Sequence, residues 1–186
     1  MIPKALNKKR GFTLLEMLVA TSVFVVVFLM VGVLIIDIVR MQARARAMRT
    51  IQEEARYALE EITREGRLAQ GADLPFSIGE DGNSVIFKIK NNEQKIVSLK
   101  DNKLQITRVI QGVASSPVEL TSDKVRVLPI EGNSIFYLES NSSCGIQFLT
   151  IKFKVEANPQ KFPSYVRDIS AVFQTSITSR KYATGH

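Results

Sequence analysis

Within NKKRGFTLLEMLVATSVFVVVFLMVGVLII, the run from Asn7 to Ile36, a single acid stands at the head of a long apolar stretch. From Met17 to Ile36 no residue carries a formal charge, and these 20 residues would cover about 30 Å as helix, enough to cross a hydrocarbon core. A carboxylate held ionised in lipid costs about 2.5 to 3.5 kcal/mol on insertion scales. Glu16 therefore needs a partner, a function, or a route by which its head group snorkels to the interface. The other reactive side chains are scattered. The loop GEDGN, Gly79 to Asn83, holds two acids without the alternating oxygen ligands of a calcium cage, and reads as a plain turn. Cys144 lies in NSSCG with no histidine to activate it, and Ser142 and Ser143 beside it are turn residues. His186 ends the chain, in a flexible tail over residues 179–186. One Cys cannot close an intramolecular disulfide, and one Cys with one His leaves little for a metal. No active site emerges, so neither an enzyme nor a cofactor is expected.

The apolar run is too long for the core of a cleaved secretory signal, and Asp37 to Met41 (DIVRM) offers no small-residue cleavage site. A membrane helix is the reading that remains. Flanking charge leaves its orientation open, because four basic residues precede the run and Arg40, Arg44, Arg46 and Arg49 follow it. The net charge of +7 includes Lys4, Lys8, Lys9 and Arg10. Without residues 1–11 the balance is 21 basic against 18 acidic, or +3, so the excess is concentrated ahead of the apolar run and nucleic acid is an unlikely partner. With 186 residues, 45% hydrophobic and 23% charged, the chain suits one ordinary domain besides the apolar segment.

Residues Lys8 to Ala20, KKRGFTLLEMLVA, resemble the amino-terminal signature of type IV prepilins and of the pseudopilins of type II secretion. Basic residues precede a Gly, a Phe follows it, and a Glu holds the fifth place after that Gly. The resemblance implies a leader peptide over residues 1–11, recognised through Lys8, Lys9 and Arg10. It further implies cleavage by a membrane prepilin peptidase between Gly11 and Phe12, then N-methylation of Phe12. Each position has a physical reason. Gly11 lets an extended backbone enter a cleft without a side chain in the way. The leader cations hold that backbone at an anionic cytoplasmic surface. Cleavage would leave a positive amino group one turn before Glu16, so in a filament the carboxylate could pair with the amino terminus of a neighbouring subunit. Glu16 is then an assembly residue.

The elements that position these residues follow from periodicity. No Pro interrupts Phe12 to Ala69, which as one helix would run roughly 87 Å. Residues 12–36 would be its transmembrane half and 37–70 its amphipathic half, with Met41, Met48, Ile51, Ala55, Ala58, Leu59 and Ile62 on one stripe and pairs such as Glu60 with Arg64 off it. Gly66 and Gly71 should weaken and stop it. From 71 to 178 the period becomes two: Val85, Phe87 and Ile89; a turn at Asn91 and Asn92; KIVSLK; a turn at Asp101 and Asn102; KLQITRVI. Gln111 to Asn133 reads as a variable connection with one strand at Lys124 to Leu128. Leu149, Ile151, Phe153 and Val155 then mark a strand, and Ile169, Ala171, Phe173, Thr175 and Ile177 share one face of the last. The fold class is α+β, a pilin-like fold with one long N-terminal helix packed on an antiparallel β domain.

The helix stretch QEEARYALEEITREGRLAQ, the two-part sheet and the ending SITSR are similar to J-type minor pseudopilins and PilW-like minor pilins. Major pilins commonly carry a Pro in mid-membrane, where this chain has Gly32 and Val33, and many have a carboxy-terminal disulfide or calcium loop. The resemblance implies a subunit that initiates or caps a type IV pilus or a type II secretion pseudopilus. Its implied partners are the prepilin peptidase, other pilins or pseudopilins in a tip complex and filament, an inner-membrane assembly platform, and lipid. Its implied place is the bacterial inner membrane as a single-pass protein with a periplasmic lobe, and later the filament. The alternative is a competence or adhesion pilin whose lobe binds DNA or a surface through Lys88, Lys90, Lys95, Lys100, Lys103, Lys152 and Lys154. Strand lysines usually protect edges, and no aromatic residues interleave with these.

Overall fold

A computed structural model describes residues 11–69, 75–89, 93–130, 132, 134–141 and 146–179. One long helix, α1 (Leu14–Leu68), precedes antiparallel strands, which gives an α+β, pilin-like architecture. The chain divides into two compact units, Met1–Gln42 and Ala43–His186, and α1 contributes to both.

In the first unit the large apolar side chains from Phe12 to Met41 are all exposed. A helix that is apolar all round, with mean hydropathy 3.0 and none of its apolar window buried, suits a membrane span. Its two hydroxyl side chains within that span are satisfied by the helix itself. Thr21 donates to the carbonyls of Met17 and Leu18, both at 3.0 Å, and Ser22 donates to Val19 at 2.8 Å. Lipid offers no other partner. Asp37 and Arg40 form an ion pair at 3.7 Å just past the uncharged run.

In the second unit α1 buries a narrow stripe of Ala47, Ile51, Ala55, Ala58 and Ile62. Three alanines among these let the sheets come close, and the larger core side chains, Phe76, Phe87, Phe136 and Phe153, come from the strands. Three expectations for the helix need correction. Met41 is 68% exposed and Ala47 lies on the buried stripe, so the stripe begins later. Gly66 does not stop the helix. It is buried inside α1, where an added Cβ would lie 3.0 Å from Ile177 Cδ1, so it is a close-packing glycine. Arg64 pairs with Glu61 and Glu65, while Glu60 pairs with Arg56 at 3.9 Å.

The first sheet runs β1 (Phe76–Ile78), β2 (Ser84–Lys88), β3 (Glu93–Lys100), β4 (Lys103–Ile110), with β5 (Val113–Ala114) and β6 (Val118–Glu119) both pairing β4. Asp101 and Asn102, at φ 52° and 61°, make the tight turn between β3 and β4, a conformation that Asp and Asn tolerate. The expected turn at Asn91 and Asn92, and Gly71, lie outside the described residues. The second sheet is built on β9 (Ile146–Ala157), whose inner face is Leu149, Ile151, Phe153 and Val155. β10 (Ser170–Thr178) pairs with one side of β9, and β7 (Val125–Leu128) and β8 (Phe136–Asn141) pair with the other. β1, β5, β6 and β8 are additions to the strands read from periodicity.

Gln147 joins the two sheets. Fully buried on β9, it accepts from the Phe76 N–H at 2.9 Å and donates to the Phe76 carbonyl at 3.1 Å, so its amide stands in for a strand neighbour of β1. The carbonyl of Gly82 accepts from Ile135 and Phe136 at 3.2 and 3.1 Å and ties the β1–β2 turn to β8. Gly82 has φ +66°, and a Cβ there would meet Ser134 Oγ at 2.1 Å, so only glycine fits.

Candidate functional site

Gly11, Phe12 and Thr13 lie outside the helix, and all three are exposed. A Cβ at Gly11 would meet nothing within 4 Å, and Phe12 is 79% exposed. The peptide between them is thus non-helical and accessible, as entry into a protease cleft demands.

The helix starts where it does because of a reciprocal cap. Thr13 is the N-cap, and its carbonyl accepts the first intrahelical bond from Met17 N–H at 3.2 Å. Its Oγ1 accepts from the Glu16 N–H at 3.3 Å. In return Glu16 Oε2 accepts from the Thr13 N–H at 3.4 Å and from the Thr13 hydroxyl at 3.5 Å. This is a capping box, and it sets the Glu16 carboxylate in the first turn, at the positive end of the helix dipole. Thr13 was the residue that reasoning from charge and hydropathy missed. Its signal was present as Thr13-Leu14-Leu15-Glu16, a T-x-x-E spacing ahead of an apolar run. In the uncut chain Glu16 thus has partners of its own, and they point it back toward Phe12.

Residues 6–32 match the family model for the prokaryotic N-terminal methylation motif. The match marks a type IV prepilin-like protein. The matched residues contain Gly11, Phe12, Thr13 and Glu16 and extend into the exposed apolar helix. The motif supports processing by prepilin peptidase and assembly with other pilins, and with the helix it suggests membrane anchoring. No curated protein and no solved structure matches the chain.

The chain's other candidate residues do not converge. The leader cations Lys8, Lys9 and Arg10 lie outside the described residues, as do Ser142, Ser143, Cys144, His186 and Lys90. Gly79 to Asn83 forms a turn in which the Gly82 N–H donates to the Gly79 carbonyl at 3.0 Å and Asp81 Oδ1 accepts from the Asn83 N–H at 3.0 Å. Among the described residues no three His, Cys, Asp or Glu side chains gather in a way that could hold a metal. The strand lysines are divided between two sheets, Lys88, Lys95, Lys100 and Lys103 in the first, Lys152 and Lys154 in the second. Several are neutralised. Lys95 reaches the buried Glu65 at 2.5 Å, Lys103 pairs with Glu119 at 2.8 Å, and Lys154 with Glu156 at 2.6 Å. The Glu119 hydrogen bond raises the Lys103 pKa, and the Arg108 hydrogen bond lowers that of Glu93.

Proposed function

We propose that this chain is a minor pilin or pseudopilin that initiates or caps a type IV pilus or type II secretion pseudopilus, an assembly subunit and not an enzyme. The observation that carries this reading is the methylation motif over residues 6–32, coinciding with an exposed, non-helical Gly11–Phe12 bond at the foot of an apolar helix. In this scheme the leader 1–11 remains cytoplasmic, prepilin peptidase cuts after Gly11 and Phe12 is N-methylated. The helix holds the subunit in the inner membrane with its β domain in the periplasm. An assembly platform and neighbouring pilins then take it from the lipid. An unbroken α1, running through Gly32 without a proline, supports a minor rather than a shaft role.

Mass spectrometry of the protein from its native membrane tests the processing step. The expected terminus is N-methyl-Phe12, and an intact Met1 or a terminus near Asp37 refutes it. Filament counts after deletion of the gene test the minor role. Fewer filaments of normal length are expected, and shortened filaments in normal number would place the subunit in the shaft.

A further inference from the structure

The two sheets treat their edges differently. The outer strands of the first sheet are short, three residues in β1 and two each in β5 and β6. Short edge strands are one of the ways proteins avoid unwanted pairing. β10 is nine residues long and lies at the edge of the second sheet. It contains no Lys, Arg, Asp, Glu or Pro, and β9 pairs with it without interruption from Ser170↔Glu156 to Thr178↔Phe148. None of the usual edge defences is present.

The register shows which backbone groups are free. Ala157 N–H donates to the Ile169 carbonyl at 3.1 Å and Ser179 N–H to the Gln147 carbonyl at 2.9 Å, so odd-numbered residues of β10 form the hydrogen-bonded pairs with β9. The even-numbered residues, Val172, Gln174 and Ser176 among them, therefore turn their N–H and C=O groups outward. No described residue bonds to them there.

Beside this edge lies a groove of about 1010 Å³ between β10 and the exposed face of α1. Phe173, Thr175 and Leu59 contribute to its lining. α1 and β10 run alongside one another: Arg44 Nε donates to the Tyr165 carbonyl at 3.0 Å near one end, and Gly66 packs on Ile177 near the other. Four arginines, Arg49, Arg56, Arg64 and Arg67, line the groove against the carboxylates of Glu53 and Glu60. Arg56 and Arg64 have carboxylate partners. Arg49 and Arg67 have none among the described residues. They stand about 27 Å apart along the helix, close to the length of about 30 Å that a nine-residue strand spans.

We propose that the free edge of β10 takes an extended segment of a second protein as an added strand, and that this segment carries carboxylates at both ends of an apolar–polar alternation. Main-chain bonds to Val172, Gln174 and Ser176 hold it, apolar side chains enter the groove over Phe173 and Leu59, and its acidic ends meet Arg49 and Arg67. This site lies wholly within the β-domain unit and does not depend on how the amino terminus is processed.

Amide hydrogen exchange on the full chain in lipid nanodiscs tests it, with a synthetic peptide of alternating valine and threonine flanked by glutamates as probe. Saturating peptide should slow exchange at Val172, Gln174 and Ser176 by about tenfold or more, as new main-chain bonds require. The same peptide flanked by lysines should not. Gln174→Pro removes an outward N–H without touching the β9 ladder, so it should abolish the slowing while the Phe173 and Thr175 amides stay protected. R49E with R67E should transfer the preference to the lysine-flanked peptide. No slowing with the acidic peptide, equal slowing with the lysine peptide, or unchanged binding by either variant overturns the proposal.

Discussion

The Glu16 carboxylate caps the helix through Thr13 and is proposed to pair with a neighbouring subunit, and two substitutions separate these roles. Glu16→Gln deletes the charge but keeps a side-chain oxygen that can accept from Thr13, since capping boxes form with Gln as well as Glu. Glu16→Leu deletes both. The cap bonds measure 3.3 to 3.5 Å. That is longer than the about 2.9 to 3.0 Å of a good N–H···O bond, so the cap belongs at the low end of its range, about 0.5 kcal/mol. Its loss changes an equilibrium only about twofold. A carboxylate and an ammonium 4 Å apart attract by about 4 kcal/mol at an effective dielectric near 20. Removing one partner of a buried pair costs about 3 to 5 kcal/mol, a factor of roughly 10² to 10³ or more. Charge therefore dominates if Glu16 pairs with the amino terminus of a neighbouring subunit. The assay is filament counting by electron microscopy in cells whose only copy carries each variant, with the amino terminus checked by mass spectrometry. Both variants should insert and be cut normally, because neither touches Gly11 or the leader and both lower the cost of burial. Both should lose filament initiation to the same extent. If Glu16→Gln assembles like the wild type while Glu16→Leu fails, the cap is the function and the pairing argument is wrong. If both assemble normally, the carboxylate merely snorkels.

Gln147→Leu should cost about 2 to 4 kcal/mol, because it leaves the buried N–H and C=O of Phe76 without their partner, and a lowered urea midpoint with faster exchange at the Phe76 amide is the readout. Gly66→Val should destabilise by about 1 to 3 kcal/mol through crowding against Ile177 and Phe87, seen as a lower melting temperature, whereas in Gly66→Ala a helix-propensity gain of about 1 kcal/mol offsets much of the contact. Hydrogen bonds from Arg108 and Lys161 hold the pKa values of Glu93 and Asp123 below the ordinary carboxylate range. Their contribution is present above the unfolded pKa values and lost as pH falls through the folded ones, so the melting temperature should drop on acidification and drop less in a variant carrying both Arg108→Ala and Lys161→Ala.

The parts legible in the sequence were those in which one local pattern matches one element. The uncharged run from Met17 to Ile36 announces a span whatever follows it. The strict alternation in β9 and β10 names their inner faces residue by residue. The parts missed depend on distant partners. β1 is three residues long, too short for any period to show, and it exists because Gln147 supplies hydrogen bonds from β9. β8 alternates Phe136 and Leu138 with Tyr137 and Glu139, but it follows a stretch rich in Gly and Pro that reads as connection. Glu65 stands among the helix's many charges with no local sign of burial, yet it is 3% exposed, with Lys95 on β3 reaching it. Gly66 reads as a helix breaker, since nothing in its neighbours reveals Ile177 above it.

The capping box changes what the acid at the head of the span has to achieve. A carboxylate with no partner would resist entering lipid, and one held by a strong partner would resist release for assembly. Glu16 lies between these cases. Its bonds to Thr13 are long, so they satisfy the carboxylate without fixing it. The two groups it touches belong to the residue beside Phe12, where a new ammonium would form on cleavage. An ammonium adds a full positive charge, an attraction of about 4 kcal/mol at 4 Å and an effective dielectric near 20, against about 0.5 kcal/mol for the long cap, so any amino terminus brought within reach displaces Thr13 readily. If cleavage occurs as proposed, the cap serves the uncut subunit and the ammonium replaces it afterwards. The order of processing before assembly then follows from bond strength, because before the cut there is no amine at Phe12 for Glu16 to prefer.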